Sequence, residues 1–151
     1  MRLLVQLVEK ASVSVDGKIN GEIGKGYLVL FGACESDTKD IADKMLKKLI
    51  NMRIFQDSEG KTNLSINDVG GSLLIVSQFT LYADMRKGNR PSFVKAGSPT
   101  HANELYEYFV SEAKNTYGIN VGTGIFGADM KVSLVNDGPF TVMLDSDEIV
   151  K

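Results

Sequence analysis

The chain has 151 residues, 43% hydrophobic and 24% charged, with 17 Lys and Arg against 19 Asp and Glu for a net charge of −2. That size and composition fit one soluble domain, residues 1–151, whose core needs no staples. A lone cysteine excludes an internal disulfide framework, no apolar run approaches the ~20 residues of a membrane span, and the acidic balance argues against coating nucleic acid by counterion release.

The N-terminus has no small-residue cleavage pattern, so a cytoplasmic location is expected. Leu3, Val5 and Leu7, then Val13 and Val15, alternate as strands, and Asp16-Gly17 signals a hairpin into Lys18 to Ile23. The continuous apolar run from Gly26 to Gly32 suits a central strand, and Cys34 at its end is expected as a buried structural thiol. From Asp37 the period changes. Ile41, Met45, Leu46, Leu49 and Ile50 form one helical face, with Ser36 or Asp37 as the expected cap.

Arg53 to Phe55 reads as a short strand, Asp57 to Gly60 as a turn, and Ser72 to Phe79 as a buried strand that ends in the polar pair Ser77-Gln78. Ser98-Pro99 opens a second helix with proline at its first position and a buried stripe of Ala102, Leu105, Tyr106, Phe109, Val110 and Ala113. Gly118, Gly122, Gly124 and Gly127 punctuate a return to β structure. Strands outnumber helices and hairpins recur, which predicts an α+β fold with a mainly antiparallel sheet or partial barrel covered by two helices.

One step breaks the last strand pattern. Gly138-Pro139 interrupts the alternation that runs from Met130 to Leu144, although proline has no N–H for a ladder. A β-bulge or edge kink accounts for it, and so does a glycine-proline pair that aims main-chain carbonyls into a site.

Side-chain acid-base machinery is thin. The only histidine, His101, falls in the first turn of a helix expected to be exposed, so a Ser-His-Asp triad lacks its base. One His and one Cys do not make a zinc site, and no metal or cofactor is called for. Gly122-x-Gly124-x-x-Gly127 lies between strands and reads as turn chemistry, not a dinucleotide loop. Asp129, Asp137, Asp145, Asp147 and Glu148 read as turn caps or solvated charges. An enzyme of this composition works through positioned backbone dipoles on an already reactive substrate. Met85 to Lys95 holds Arg86, Lys87, Arg90 and Lys95 with no acidic residue, a solvated loop or a local RNA contact.

Ser77-Gln78-Phe79-Thr80-Leu81 together with Asn136-Asp137-Gly138-Pro139-Phe140-Thr141 resembles the D-aminoacyl-tRNA deacylases, also called D-tyrosyl-tRNA deacylases. The likeness extends in order through Gln6 to Asp16, Arg53-Ile54-Phe55, Gly88 to Phe93 and Phe126 to Met130. It implies a homodimer that hydrolyses the ester between a D-amino acid and the 3′ end of tRNA, with no membrane and no DNA partner. It further implies that Ser77, Gln78, Phe79 and Thr80 of one subunit face Gly138 and Pro139 of the other, the latter joined by a cis bond. The carbonyls of that pair would exclude an L side chain and leave a D side chain free, and glycyl-tRNA, with no β-carbon, would leak through. Main-chain N–H groups near Phe79 and Thr80 would polarise the ester, with Thr80 as a covalent nucleophile in the rival scheme. Leu7 stands where many members carry an arginine that helps hold the Gly-Pro segment. Phe140 replaces a commoner valine and Thr62 a commoner methionine.

Three alternatives remain beside this reading. The related animal-type deacylase carries a trans Gly-Pro and a different strand motif. A catalytically silent dimer would bind tRNA ends through Arg86 to Lys95. A purely structural β protein would use neither motif.

Overall fold

The computed structural model describes residues 1–150. Its spine is β1, Arg2–Val15, which turns Leu3, Val5 and Leu7, then Ala11 and Val13, into the core. Asp16 and Gly17, both at positive φ, reverse the chain into β2, Lys18–Ile23, antiparallel to the far half of β1. β3, Gly26–Gly32, lies antiparallel to the near half of β1 and is buried along almost its whole length.

α1, Lys39–Asn51, presents Ala42, Met45, Leu46, Leu49 and Ile50 to the sheet. Its cap is Thr38, whose hydroxyl accepts the Ile41 N–H at 3.3 Å, and neither Ser36 nor Asp37. Asp37 is buried because it is used elsewhere. Its carboxylate accepts from the Met1 ammonium at 2.6 Å and from the Cys34 N–H at 2.8 Å. Cys34 itself is half-buried, less enclosed than its apolar neighbours suggested.

The expected strand at Arg53 to Phe55 is displaced to β4, Phe55–Gln56, which pairs with β5, Thr62–Leu64, around the Asp57 to Gly60 turn. β6, Ser72–Ser77, ends two residues earlier than expected. α2, Pro99–Asn115, then leads to β7, Val121–Thr123, and β8, Lys131–Asp145, closes the chain against β1 before a short third helix, α3, Ser146–Ile149. α3 was not expected. It is one turn long, too short for a periodic signal, and is capped by Asp145, which accepts the Asp147 N–H at 3.0 Å.

The sheet is mixed, which corrects the mainly antiparallel expectation: β3 pairs with β6, and β6 with β7, in parallel. Each parallel pair follows a helical crossover, and a crossover returns the next strand in the same direction. The order β2-β1-β3-β6-β7 bends until Asn20 of β2 donates to the Thr123 carbonyl of β7 at 2.7 Å, so the sheet is nearly closed. One face, beneath α1 and α2, holds Tyr27, Phe31, Phe55 and Phe109, and the other holds Val8, Ala11, Val13, Leu28 and Leu74. No described helix is long and apolar enough to cross a membrane.

Candidate active site

At the end of β6 the chain leaves the sheet. The Gln78 N–H still donates to the Phe31 carbonyl of β3, at 2.7 Å, after which Phe79–Tyr82 wind into a 3-10 turn. The first N–H groups of such a turn, those of Phe79 and Thr80, have no partner inside it and carry a partial positive charge. Gly32 lets the turn sit this close. A β-carbon there would lie 3.1 Å from the Gln78 carbonyl oxygen and 3.2 Å from the Leu81 β-carbon.

Three further contacts fix the turn. Arg2 donates to the Leu81 carbonyl at 2.9 Å, and to Asp145 at 2.9 Å, with its guanidinium 4.6 Å from the centre of the Tyr82 ring. Phe79, 54% exposed, stands edge-on to Phe93 at 4.9 Å between ring centres. The Gln78 carboxamide donates to the Thr80 hydroxyl oxygen at 2.5 Å. Burial drives the Tyr82 phenol far above its ordinary range, so it stays neutral beneath the turn.

Ser77, Gln78 and Phe79 form one wall of a cleft of about 270 Å³, faced by Phe126, Asp129 and Met130. Phe126 and Met130 belonged to the recognised stretch but carried no expected role. Their signal in the sequence is weak, because nothing local shows that the turn before β8 folds back over the end of β6. Tyr106 supports that wall, its ring 6.1 Å from Phe126 and its hydroxyl donating to the Ile75 carbonyl at 2.7 Å. Burial pushes the Tyr106 phenol up to about 12, which keeps it a hydrogen-bond donor.

Gly138 and Pro139 do not line this cleft. They sit on an exposed bulge of β8, and the bond between them is cis. Pairing with β1 runs Arg2 to Asp145 through Gln6 to Thr141, then resumes at Val8 with Asn136, so Asp137–Phe140 stand opposite Leu7 alone. The proline therefore sits in a bulge, as one sequence reading had it, and its bond to Gly138 is cis. Gly138 has φ +121°, and a β-carbon on it would lie 3.1 Å from the Phe140 nitrogen. Leu7, where the resemblance led one to look for arginine, is buried and apolar, and only its carbonyl reaches the bulge, accepting from the Asn136 side chain at 2.8 Å.

His101 is half-buried, contrary to the exposed position expected, and its Nε2 lies 3.0 Å from the Asp37 carbonyl. The basic stretch is partly neutralised by an acid one residue before it. Asp84 takes Arg86 in a two-pronged pair at 2.6–3.0 Å and lies 3.5 Å from Lys95, leaving Lys87 and Arg90 without a carboxylate partner among the described residues. The Arg86 side chain holds the Asp84 carboxyl well below the usual carboxylate range. Among the described residues no three His, Cys, Asp or Glu side chains gather in metal-binding arrangement. The side-chain donors that line the cleft are the Gln78 carboxamide and the Ser77 hydroxyl, and Thr80 lies outside its lining, linked to it through Gln78.

The family model described as D-Tyr-tRNA(Tyr) deacylase matches residues 4–145. A D-aminoacyl-tRNA deacylase of Thermosipho melanesiensis is 53% identical over 149 residues, covering 99% of each chain. One from Lactobacillus acidophilus is 55% identical over 145 residues, 96% of this chain and 99% of its own. Among solved structures, the "c-Myc DNA Unwinding Element Binding Protein" superposes with TM-score 0.91 at 39% identity, over 96% of this chain and 98% of its own. "A probable eukaryotic D-amino acid tRNA deacylase" shares the fold, with TM-score 0.83 at 19% identity over 95% and 97% of the two chains. With the family match running from β1 to the end of β8 and full-length relatives above half identity, this chain belongs to the D-Tyr-tRNA(Tyr) deacylase family.

Proposed function

We propose that this protein, acting as one domain in a homodimer, hydrolyses the ester between a D-amino acid and the terminal ribose of tRNA. One observation carries the cross-subunit part of the reading. The cleft beside Ser77, Gln78 and Phe79 lacks Gly138 and Pro139, which lie exposed on a bulge of the same chain. A second copy that lays its bulge over the cleft completes the site. β8 suits that contact, since it pairs only with β1 and carries the exposed apolar residues Val135 and Met143 on either side of the bulge.

The ester carbonyl is placed against the Phe79 and Thr80 N–H groups at the start of the 3-10 turn, and these donors stabilise the oxyanion that develops on attack. Water is the nucleophile. The Thr80 oxygen accepts a hydrogen bond from Gln78, which draws electron density from it, and among the described residues no base contacts it to take its proton. Thr80 keeps its hydrogen to donate to substrate, and the neighbouring ribose hydroxyl and α-ammonium activate the ester. The partner's Gly138 and Pro139 carbonyls stand where an L side chain would lie, so selection acts by exclusion and leaves the D side chain unread. Glycyl esters pass the same filter. Lys87 and Arg90, with Arg86 and Lys95 held by Asp84, offer a local contact for tRNA phosphates.

The test is release of amino acid from matched D-tyrosyl-tRNA and L-tyrosyl-tRNA by the purified protein. Selective loss of the D ester is expected, with glycyl-tRNA also hydrolysed. Hydrolysis of neither ester beyond the buffer rate would overturn the reading and favour a silent tRNA-end binder. Equal loss of both would remove the exclusion step.

A further inference from the structure

The geometry points to Asn136 as the positioning residue that aims the Gly138-Pro139 bulge, an inference that rests on the chiral reading above for its consequence but not for its physical content. Asn136 is the last residue of β8 in register before the bulge, opposite Val8. Its Nδ2 donates to the Leu7 carbonyl at 2.8 Å and to the Phe140 carbonyl at 3.0 Å. Both hydrogens of one amide are thus engaged. One ties the root of the bulge to β1, and the other spans its neck from residue 136 to residue 140.

The ladder explains why a side chain has to do this. Between Gln6 opposite Thr141 and Val8 opposite Asn136 the main-chain pairing lapses, and four residues of β8 face the single residue Leu7. In a regular ladder the Leu7 carbonyl would look to a main-chain N–H. Here it and the Phe140 carbonyl take the Asn136 carboxamide. The β1 side chains beside the bulge offer no substitute. Leu7 is apolar and packed in the core, and Gln6 reaches only the Thr141 hydroxyl, at 3.3 Å. Phe140, at the far side of the neck, is itself packed against the core, so the clasp connects the exposed residues 138 and 139 to a fixed point on each flank. Asn136 does not line the cleft, and its influence on the reaction passes through those two carbonyls.

Asn136→Asp keeps the shape and removes both donors, placing a carboxylate against two carbonyl oxygens. Asn136→Ala removes the link without the repulsion and serves should the first variant fold poorly. Two readouts are taken on the dimer, ¹⁵N relaxation at the Gly138 and Phe140 amides and the ratio of D-tyrosyl-tRNA to L-tyrosyl-tRNA hydrolysis. The expected result is increased mobility at those two amides with the thermal midpoint little changed. The D-to-L ratio should fall about tenfold, the scale of one or two lost hydrogen bonds, through faster L-ester hydrolysis and not through a slower D ester. Unchanged mobility at Gly138 and Phe140 in a folded variant would overturn the clasp. A loosened bulge with an unchanged ratio would overturn its role in selection. A wild-type protein that treats both esters alike would sink the chiral reading, while the relaxation data alone would still decide the clasp.

Discussion

The turn after β6 and the bulge of β8 both depart from the sheet, and they are held in opposite ways. The turn is bound from several sides, by the Phe31 carbonyl, by Arg2 at Leu81 and by Phe93 against Phe79, and Gly32 clears the space beneath it. The bulge projects into solvent and is tied at its neck by the Asn136 carboxamide, with Gln6 on Thr141 just outside it. A group that must stabilise developing charge gains from being fixed before substrate arrives. A group that acts by exclusion has to reach a second copy of the chain, and only a protrusion can do so. On the proposed mechanism the two regions divide the labour, the turn setting the rate and the bulge setting the selectivity, and substitutions should separate these quantities.

The largest effect is expected at Gly138. In Gly138→Ala the new β-carbon meets the Phe140 nitrogen at 3.1 Å in a backbone at φ +121°, a conformation L residues avoid. The carbonyls must move, and the D-to-L ratio should fall about 100-fold, the scale set by a misplacement near 1 Å. Matched rates on the two tyrosyl esters measure it, and a ratio within twofold of wild type would break the division between turn and bulge.

Next comes Arg2→Ala, which frees the Leu81 carbonyl from below. It should lower kcat on the D ester by about tenfold with the D-to-L ratio unchanged, since the proposed oxyanion donors of the turn lose alignment and the bulge does not. A selective rise in L-ester hydrolysis would show instead that the two regions are coupled, the Arg2 pair with Asp145 at the end of β8 being the obvious route.

Thr80→Ala sharpens the assignment within the turn. It should retain activity within about tenfold of wild type, as expected for the loss of a hydrogen-bonding hydroxyl and not of a nucleophile. Total loss in a folded variant would restore Thr80 as the attacking group.

The smallest effect belongs to Asp84. Its carboxyl titrates well below its ordinary value of 3.8, held there first by the Arg86 side chain, so the pairing contributes above the unfolded pKa and is lost as pH falls through the lower folded one. Order in the Asp84 to Ser92 bridge should therefore persist through pH 4 and fail only under stronger acid, followed by the amide signals of these two residues. Asp84→Asn should abolish that acid limb and leave D-ester turnover near wild type. Because the Arg86 side chain is largely exposed to solvent, the pair's effect on global stability should be small.

How much of this was legible varies by element. The faces of α1 and α2 were plain, because a 3.6-residue period with Pro99 at the helix start is a local property of the chain. The direction of β6 and β7 was not, since an apolar run such as Ser72 to Val76 reads the same whether its neighbour runs parallel or antiparallel. The cap of α1 was misplaced by one or two residues because Ser36, Asp37 and Thr38 are all competent caps, and the choice turned on Asp37 being drawn to Met1. The basic stretch looked unopposed only because its acid, Asp84, lies one residue outside it.

By itself the sequence determined that a proline interrupts the alternation of the last strand and that Ser77 and Gln78 stand at the end of a buried one. Each follows from residue type and short-range order, which are present in the chain before it folds. Only the tertiary structure decided that the cleft closes with Phe126 and Met130, that Arg2 ties the turn and Asn136 the bulge, and that Gly138 and Pro139 do not line the cleft of their own chain. Those contacts join residues up to 129 positions apart, and pairings at that range are fixed by packing and register, which no local pattern encodes.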